Sequence, residues 1–214
     1  MKVAIAGGHG KIARLLTKLL SARGDQVVSL IRNPAHAADV RAAGAEPVTA
    51  DLEAQSPAAI AAAIAGCDAV VFAAGAGPGS GTERKETVDH QAAVKLIDAA
   101  AAAGVDRYLM ISALAADPDH TGDQVFDVYL RAKGRADAAL RASGMRETII
   151  RPGKLTDDPP TGLVTLAESV TRGAVSRADV AAVLLACLSA EQTIGQTLEL
   201  VAGTTPIDQA LAAL

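Results

Sequence analysis

The residue types best suited to acid–base chemistry in this chain are a tyrosine and a lysine four positions apart. Tyr129 and Lys133 lie in the run 126–142, which the sequence predicts as a helix. Because residues at i and i+4 lie on one face of a helix, both side chains can reach the same edge of a ligand. A free tyrosine has a pKa of about 10, and a neighbouring ammonium group lowers it by favouring the phenolate. The pair predicts a tyrosine that exchanges protons near neutral pH; the alternative is a partly buried tyrosine beside a solvated lysine.

A glycine-rich turn near the N-terminus predicts a site for phosphate groups. Residues 3–6 are all apolar, as in a parallel strand covered on both faces, and Gly7 permits the sharp turn that ends it. We expect Gly8 and Gly10, which have no Cβ, to let a pyrophosphate approach the backbone. The amides and the dipole at the start of the next helix, 11–23, then attract its negative charge. The spacing fits GxxGxxA from Gly7 and GxGxxA from Gly8, and the sequence does not choose between them.

The end of the second predicted strand, 26–31, indicates which dinucleotide the turn would bind. A carboxylate in this place binds both ribose hydroxyls of NAD, but the chain continues as Arg32 and Asn33. The guanidinium group of Arg32 can hold a 2′-phosphate, so the sequence favours NADP(H) over NAD(H); the alternative is a solvated arginine at a strand end. We expect Asn33 to add a polar contact and Asp51 to orient adenine, whereas Lys11 either approaches the phosphates or faces solvent.

Composition argues against several other classes of protein. The 214 residues suit one α/β domain, predicted to span 1–214. The formal charge of −4 and the lack of a long basic run argue against nucleic acid or an anionic membrane as a partner. The fold is expected to begin at Lys2 with no secretory signal before it, which predicts a cytoplasmic location.

The sequence patterns of metal sites, hydrolases and phosphoryl-transfer enzymes are missing. The four histidines have no HExxH spacing and the two cysteines no CxxC spacing, so we predict no metal site and two unpaired core thiols. No GxSxG or GxxxxGK[ST] motif is present either. A small-molecule acceptor is the predicted partner, and the sequence leaves homo-oligomer formation open.

Strand-like and helical runs alternate along the first 150 residues. Five such units predict right-handed crossovers and a single-domain, doubly wound parallel sheet, a Rossmann-like three-layer α/β/α fold that binds its ligand at the carboxyl ends of the strands. After a strand at 148–151, the segment 152–175 is rich in proline and glycine, and we expect it to be irregular and to face the substrate. A helix capped by Ser176 and a strand at 197–201 follow. The other predicted strands are 3–6, 26–31, 46–50, 69–73 and 107–111, and the other predicted helices are 11–23, 35–43, 57–65, 84–103 and 126–142.

Taken in order, these segments resemble one superfamily over nearly the whole chain. The segments that carry the resemblance are GGHGKIA, LIRNP, ADLE, VVFAAGAG, VDHQAAVKLIDAAAAAGVDRYLMISA and YLRAKGRADAALRASG. Together they resemble the atypical short-chain dehydrogenase/reductase superfamily, near its NAD(P)-binding, NmrA-like members. The order is specific: a glycine turn, Arg32, Asp51, the loop AAGAG, then Tyr129 and Lys133 as YxxxK.

The resemblance implies roles for the candidate residues. It makes Tyr129 the proton donor, while Lys133 lowers the pKa of that tyrosine and hydrogen-bonds the nicotinamide ribose. Many relatives have a Ser-Ser pair after the fifth strand and orient the substrate carbonyl with the second hydroxyl; here that position is Ala113, and Ser112 is the candidate substitute. The candidate cofactor-binding residues are Gly7, Gly8, His9, Gly10, Lys11, Ile12, Arg32, Asn33, Asp51, Leu52, Ala74, Gly75, Ala76 and Lys133.

The sequence therefore predicts an NADPH-dependent reductase that transfers hydride to a small carbonyl, a quinone or a similar acceptor. The NmrA-like resemblance leaves an alternative, a non-catalytic sensor that uses bound NADP to alter its contacts with a partner protein. A nucleotide-sugar epimerase or dehydratase ranks third, because that class generally needs a larger C-terminal lobe than the residues beyond Arg151 provide.

Overall fold

The computed structural model of the protein describes residues 1–77 and 79–214, and a nine-stranded sheet forms its centre. The strands are β1 (Lys2–Ala6), β2 (Gln26–Ile31), β3 (Glu46–Thr49), β4 (Ala69–Phe72), β5 (Arg107–Ile111), β6 (Arg146–Pro152), β7 (Lys154–Thr156), β8 (Leu163–Ala167), β9 (Ala174–Ser176), β10 (Gln196–Ala202) and β11 (Thr205–Pro206). Their order in the sheet is β11-β8-β10-β6-β5-β4-β1-β2-β3, and β7 pairs with β9 separately. The seven strands from β10 to β3 are parallel, whereas β8 and β11 form an antiparallel edge.

Helices cover both faces of this sheet, as the alternation of buried side chains along β1 shows. Val3 and Ile5 belong to one apolar core, with the helices at Lys11–Arg23 and Arg177–Cys187, and Ala4 and Ala6 belong to a second core, with the helices at Pro57–Ala63 and Ala92–Ala102. Successive strand residues point to opposite faces, so each residue of β1 supports one of two helical layers. This confirms the predicted Rossmann-like α/β/α fold. The helices are α1 (Lys11–Arg23), α2 (Ala37–Ala42), α3 (Pro57–Ala63), α4 (Thr82–Arg84), α5 (Ala92–Ala102), α6 (Val125–Ala142), α7 (Arg177–Cys187) and α8 (Ile207–Ala212).

The position of the site follows from the strand order. The chain builds β2 and β3 outward on one side of β1 and then starts again with β4 on the other side. Such a reversal opens a crevice at the carboxyl ends of the two central strands, which is where ligands bind in doubly wound sheets. Here the crevice lies between the residues that follow β1 and β4.

Two segments differ most from the sequence prediction, and the C-terminal elements β11 and α8 were not predicted. The predicted helix 84–103 consists of α4, a π-helical turn at Lys85–Gln91 and α5. The segment 152–175, predicted to be irregular, contains β7, β8 and the start of β9, because β8 finds a partner in β10, some 30 residues further along the chain. The Ser176 cap is confirmed, since its Oγ accepts the backbone N–H of Asp179 at 2.9 Å. No helix in the described part of the chain has the length and apolar character needed to span a bilayer.

Candidate cofactor and active site

The glycine turn connects β1 to α1 and packs tightly against two neighbouring strands. Gly7 adopts a φ of 75°, and a Cβ there would lie 2.6 Å from the Cα of Ala74, which follows β4. A Cβ at Gly8 would lie 2.6 Å from the Cβ of Ser29 in β2. Packing against β2 is therefore a second reason for glycine at position 8, and the expectation that Gly8 lets a pyrophosphate approach the backbone stays a prediction.

The start of α1 nevertheless fits a bound anion. Gly10 precedes the helix in extended backbone and provides no side-chain cap, while its own N–H donates to the carbonyl of Gly7 at 2.8 Å. Within residues 1–77 and 79–214, no acceptor bonds the backbone N–H of Lys11, Ile12 or Ala13. These free donors at the positive end of a helix dipole are the groups that bind a pyrophosphate in dinucleotide folds.

A cavity of about 360 Å³ opens next to this turn. It extends along the carboxyl ends of β1, β2 and β4 and the turn after β3, so it has the place expected for a dinucleotide. Among the candidate cofactor residues, those that line the cavity are Gly7, Gly8, His9, Gly10, Arg32, Asn33, Asp51, Leu52, Ala74, Gly75 and Ala76. Lys11, Ile12 and Lys133 are not among its lining residues.

Three charged side chains at the rim of the cavity form what we call the outer cluster: Arg32, Glu53 and Arg84. Glu53 Oε2 lies 3.2 Å from an Arg32 nitrogen and 2.8 Å from an Arg84 nitrogen. The other carboxylate oxygen, Oε1, accepts the hydroxyl of Thr87 at 2.7 Å. More than half of the Arg32 side chain, 56%, is exposed, so the arginine can change partner at small cost. Sequence reasoning missed Glu53 and Arg84. For Glu53 the available signal was its position two residues after Asp51, just after a predicted strand.

Several other candidate residues have local roles that the sequence did not predict. Asp51 Oδ1 accepts the backbone N–H of Glu53 at 2.9 Å, and Asn33 Oδ1 accepts that of Ala35 at 3.0 Å. Both side chains therefore stabilise turns at the cavity rim. Lys11 forms an ion pair with Asp157 and so points toward the segment 152–175.

Two histidines stack at the same rim. The rings of His9 and His36 are 3.7 Å apart and nearly parallel, and His9 Nε2 lies 2.9 Å from Asp39 Oδ2. The hydrogen bond from His9 holds the pKa of Asp39 below its ordinary value. The stack connects the glycine turn with the residues that follow β2, and His36 was missed because sequence gives no sign of this pairing.

The second part of the site lies on α6, where three residues spaced by four share one buried face. The first two are the predicted pair, Tyr129 and Lys133, and the third is Asp137. Lys133 is 3% exposed; its Nζ donates to the carbonyl of Ile111 at 3.0 Å and lies 3.5 Å from Asp89 Oδ1. The structure thus brings the lysine to the end of β5 but surrounds it with protein partners.

Ser112 also has a protein partner. Its Oγ donates to Asp137 Oδ2 at 2.8 Å, and the same oxygen accepts Nε and Nη2 of Arg151 at 2.9 and 2.8 Å. Asp137 was missed by sequence reasoning, although its position four residues after Lys133 placed it on the same helix face. We call the set Asp89, Ser112, Lys133, Asp137 and Arg151 the inner cluster.

Burial dominates the proton affinities in this region. It raises the pKa of Tyr129 above the ordinary value of 10.0; the Lys133 ammonium opposes this rise, and Asp89 and Asp137 add to it. The expected net lowering by Lys133 is therefore wrong, because the half-buried phenol has lost solvent and two carboxylates lie nearby. Burial also raises the pKa of Asp137, against the opposing effect of Arg151. At neutral pH the phenol of Tyr129 is protonated.

Comparison with known proteins identifies the family of the chain. A family model described as NAD(P)H-binding matches residues 7–191, which include the glycine turn, both clusters and α6. The chain belongs to the NAD(P)H-binding family. The prediction of an NAD(P)-binding Rossmann-fold protein is confirmed, and it is consistent with the resemblance to the atypical short-chain dehydrogenase/reductase superfamily; the roles of individual site residues stay predictions.

Several relatives match over the whole or nearly the whole of their length. A Bacillus subtilis protein named as an uncharacterized sugar epimerase is 42% identical, and the match covers 100% of both chains. Among solved structures, a Bacillus halodurans protein, provisionally named an NAD-dependent epimerase/dehydratase, has a TM-score of 0.92 with 37% identity and full coverage of both chains. A Lactococcus lactis protein described as an oxidoreductase has a TM-score of 0.88 with 29% identity, covering 100% of this chain and 96% of that one.

Proposed function

We propose that this protein is an NADPH-dependent reductase of small carbonyl, quinone or similar acceptors. The observation that carries the proposal is the placement of Tyr129, protonated at neutral pH, on the helix face that also brings Lys133 to the end of β5. A protonated phenol is a proton donor, which suits reduction of an acceptor. The name of the Lactococcus lactis structure, an oxidoreductase, supports the same class of reaction.

The residues of the cavity fit the cofactor. The free amides of Lys11 and Ile12 would hold the pyrophosphate, and the guanidinium groups of Arg32 and Arg84 would hold a 2′-phosphate. A phosphate would compete with Glu53 for both arginines, and Glu53 is itself partly exposed, so it can turn to solvent. This arrangement supports a preference for NADP(H). When bound, the nicotinamide supplies the hydride.

The inner cluster fixes the geometry of the proton donor. The ion pair with Asp89 and the bond to the Ile111 carbonyl hold Lys133 in one position, and Asp137 holds Ser112 through its hydroxyl proton. Ser112 Oγ still has lone pairs that can accept a hydrogen bond. Tyr129 then donates its phenolic proton to the oxygen of the acceptor, and a proton from solvent restores the phenol.

The experiment is NADPH oxidation, followed at 340 nm, with a panel of aldehydes, ketones and quinones. Replacing the general acid, Tyr129→Phe, should lower kcat by about 10²–10⁴-fold. The affinity for NADPH should stay within about a factor of two to three of the wild-type affinity. The matched control is Tyr108→Phe, the same change at the only other tyrosine, which lies in the core. Equal turnover in wild type and Tyr129→Phe across the panel would refute the proton-donor role.

One observation favours a second candidate, a non-catalytic NADP-binding sensor. The hydroxyl proton of Ser112 is committed to Asp137, and Ala113 has no hydroxyl, so no serine proton is left to orient a substrate carbonyl. Tight NADPH binding without oxidation by any acceptor would support the sensor. The name of the Bacillus subtilis relative supports a sugar epimerase instead, and that activity would interconvert a nucleotide sugar without net consumption of NADPH.

A further inference from the structure

The structure holds a second buried ammonium group close to Tyr129. Lys85, the first residue of the π-helical turn, is 8% exposed. Its Nζ donates to the carbonyl of Gly77 at 3.0 Å and lies 5.3 Å from the centre of the Tyr129 ring, over the face of the ring. The side chain therefore connects the loop after β4 with the proposed proton donor.

The two buried lysines near Tyr129 differ in how their charge is balanced. The ammonium of Lys133 lies 3.5 Å from the carboxylate of Asp89, so much of its charge is neutralised. Lys85 forms no ion pair with any carboxylate in residues 1–77 and 79–214; its partners there are one carbonyl oxygen and one aromatic face. A buried charge without a counter-ion is costly, and its electrostatic effect on nearby groups is correspondingly large.

We propose that Lys85 is the positioning residue of Tyr129. Its ammonium group holds the face of the Tyr129 ring and supplies positive charge beside it, because the charge of Lys133 is partly neutralised by Asp89. The inference rests on the proposed function for its catalytic consequence, but not for its electrostatic one. An ammonium group over an aromatic face is attracted to the ring and stabilises a negative phenolate more than a neutral phenol. Lys85 therefore offsets part of the burial effect on Tyr129.

The other charged groups that face Tyr129 are those of α6 and of the π-helical turn. Lys133 favours the phenolate, whereas Asp89 and Asp137 oppose it. Asp137 is bound to Arg151 and Asp89 to Lys133. With these four charges paired, Lys85 is the charge whose removal should move Tyr129 without breaking an ion pair.

The direct test is a pH titration of Tyr129 that needs neither cofactor nor turnover. The chain has two tyrosines, so in a Tyr108→Phe background, 3-fluorotyrosine is incorporated at Tyr129 alone and its ¹⁹F resonance reports ionisation. The electron-withdrawing fluorine moves the titration toward neutral pH, where the fold is kept. Removing the charge with Lys85→Met should raise the pKa of this phenol by about one pH unit, while Lys85→Arg should keep it near the parent value.

Two further variants make the result decisive. Lys85→Gln keeps a donor for the Gly77 carbonyl and should show the same upward shift as Lys85→Met, whereas a purely structural role would be rescued by it. Lys18→Met, an exposed lysine on α1, is the control and should leave the titration unchanged. An unchanged pKa of Tyr129 in both Lys85→Met and Lys85→Gln would overturn the proposal.

Activity then separates this inference from the proposed function. If the protein is a reductase, the alkaline limb of its pH–kcat profile should move in Lys85→Met by the amount seen in the titration, with little change in the KM for NADPH. A shift in the titration with no turnover in any variant would sink the reductase and leave the positioning role intact. Turnover with an unchanged Tyr129 titration would refute the positioning role of Lys85 and leave the reductase intact.

Discussion

The outer cluster at the rim of the cavity and the inner cluster around α6 differ in exposure, and under the proposed function this difference separates cofactor recognition from chemistry. Arg32 of the outer cluster has a side chain that is 56% exposed, and its ion pair with Glu53 can exchange for a ligand. In the inner cluster Asp137 is fully buried and Lys133 nearly so, and each is held by several partners. Exposed charges recognise a phosphate that arrives from solvent, whereas buried, paired charges hold one geometry before the ligand arrives.

The largest effect on stability is expected from a substitution of Asp137 in the inner cluster. Asp137→Ala leaves the guanidinium of Arg151 without its carboxylate and Ser112 without its acceptor, so we expect a loss of about 3–5 kcal/mol in the free energy of unfolding. Urea denaturation measures it. The matched control is Asp157→Ala, which removes an exposed carboxylate that pairs with Lys11 and Arg177 and should change the midpoint little. Equal losses in the two variants would show that the cost of removing a paired carboxylate does not depend on its burial.

A change in the outer cluster should alter specificity without altering stability. Arg32→Ala removes one of two cations that face the proposed 2′-phosphate, so we expect the Kd for NADPH to rise about tenfold while that for NADH stays nearly constant. Calorimetry with both dinucleotides is the measurement, and Arg41→Ala, an exposed arginine on α2, is the control. If NADPH and NADH weaken equally, Arg32 does not read the 2′-phosphate.

The smallest effect is expected at Tyr108, which is as buried as Asp137 but carries no charge. Tyr108 is fully buried in β5, and its hydroxyl is among the buried polar atoms without a hydrogen-bond partner in the described structure. Tyr108→Phe removes that hydroxyl and should stabilise the protein slightly, by up to about 1 kcal/mol. Thermal unfolding tests it; a lower Tm would mean that the hydroxyl has a partner, such as a buried water.

The fold was predictable because its signals are local. The alternation of apolar strands with helices followed by glycine indicates parallel units, and Gly24, Gly44, Gly66, Gly104 and Gly144 all have the positive φ that is common where a helix ends. The strands β7, β8 and β9 were not predicted, because they are short and β8 owes its structure to pairing with β10. The π-helical turn at 85–91 was also missed, since its residues have ordinary helix-forming composition.

The candidate site was predictable only in part, because only some of the contacts that form it are local in sequence. Tyr129 and Lys133 are four residues apart, and the glycine turn is contiguous, so sequence spacing places each motif on one element. The contacts that decide their chemistry join distant segments: Glu53 with Arg84, Asp89 with Lys133, and Lys85 with Tyr129. Burial of the phenol, which sequence spacing does not show, reversed the expected direction of the Tyr129 pKa shift, with Asp89 and Asp137 adding to it.

The measurement that tests the central claim most directly is calorimetric titration of the purified protein with NADPH and NADH. The open amides of α1 and the arginines of the outer cluster predict saturable binding of one dinucleotide per chain, with NADPH bound more tightly than NADH. Failure of both to bind at millimolar concentration would contradict the account, whatever activity the protein shows.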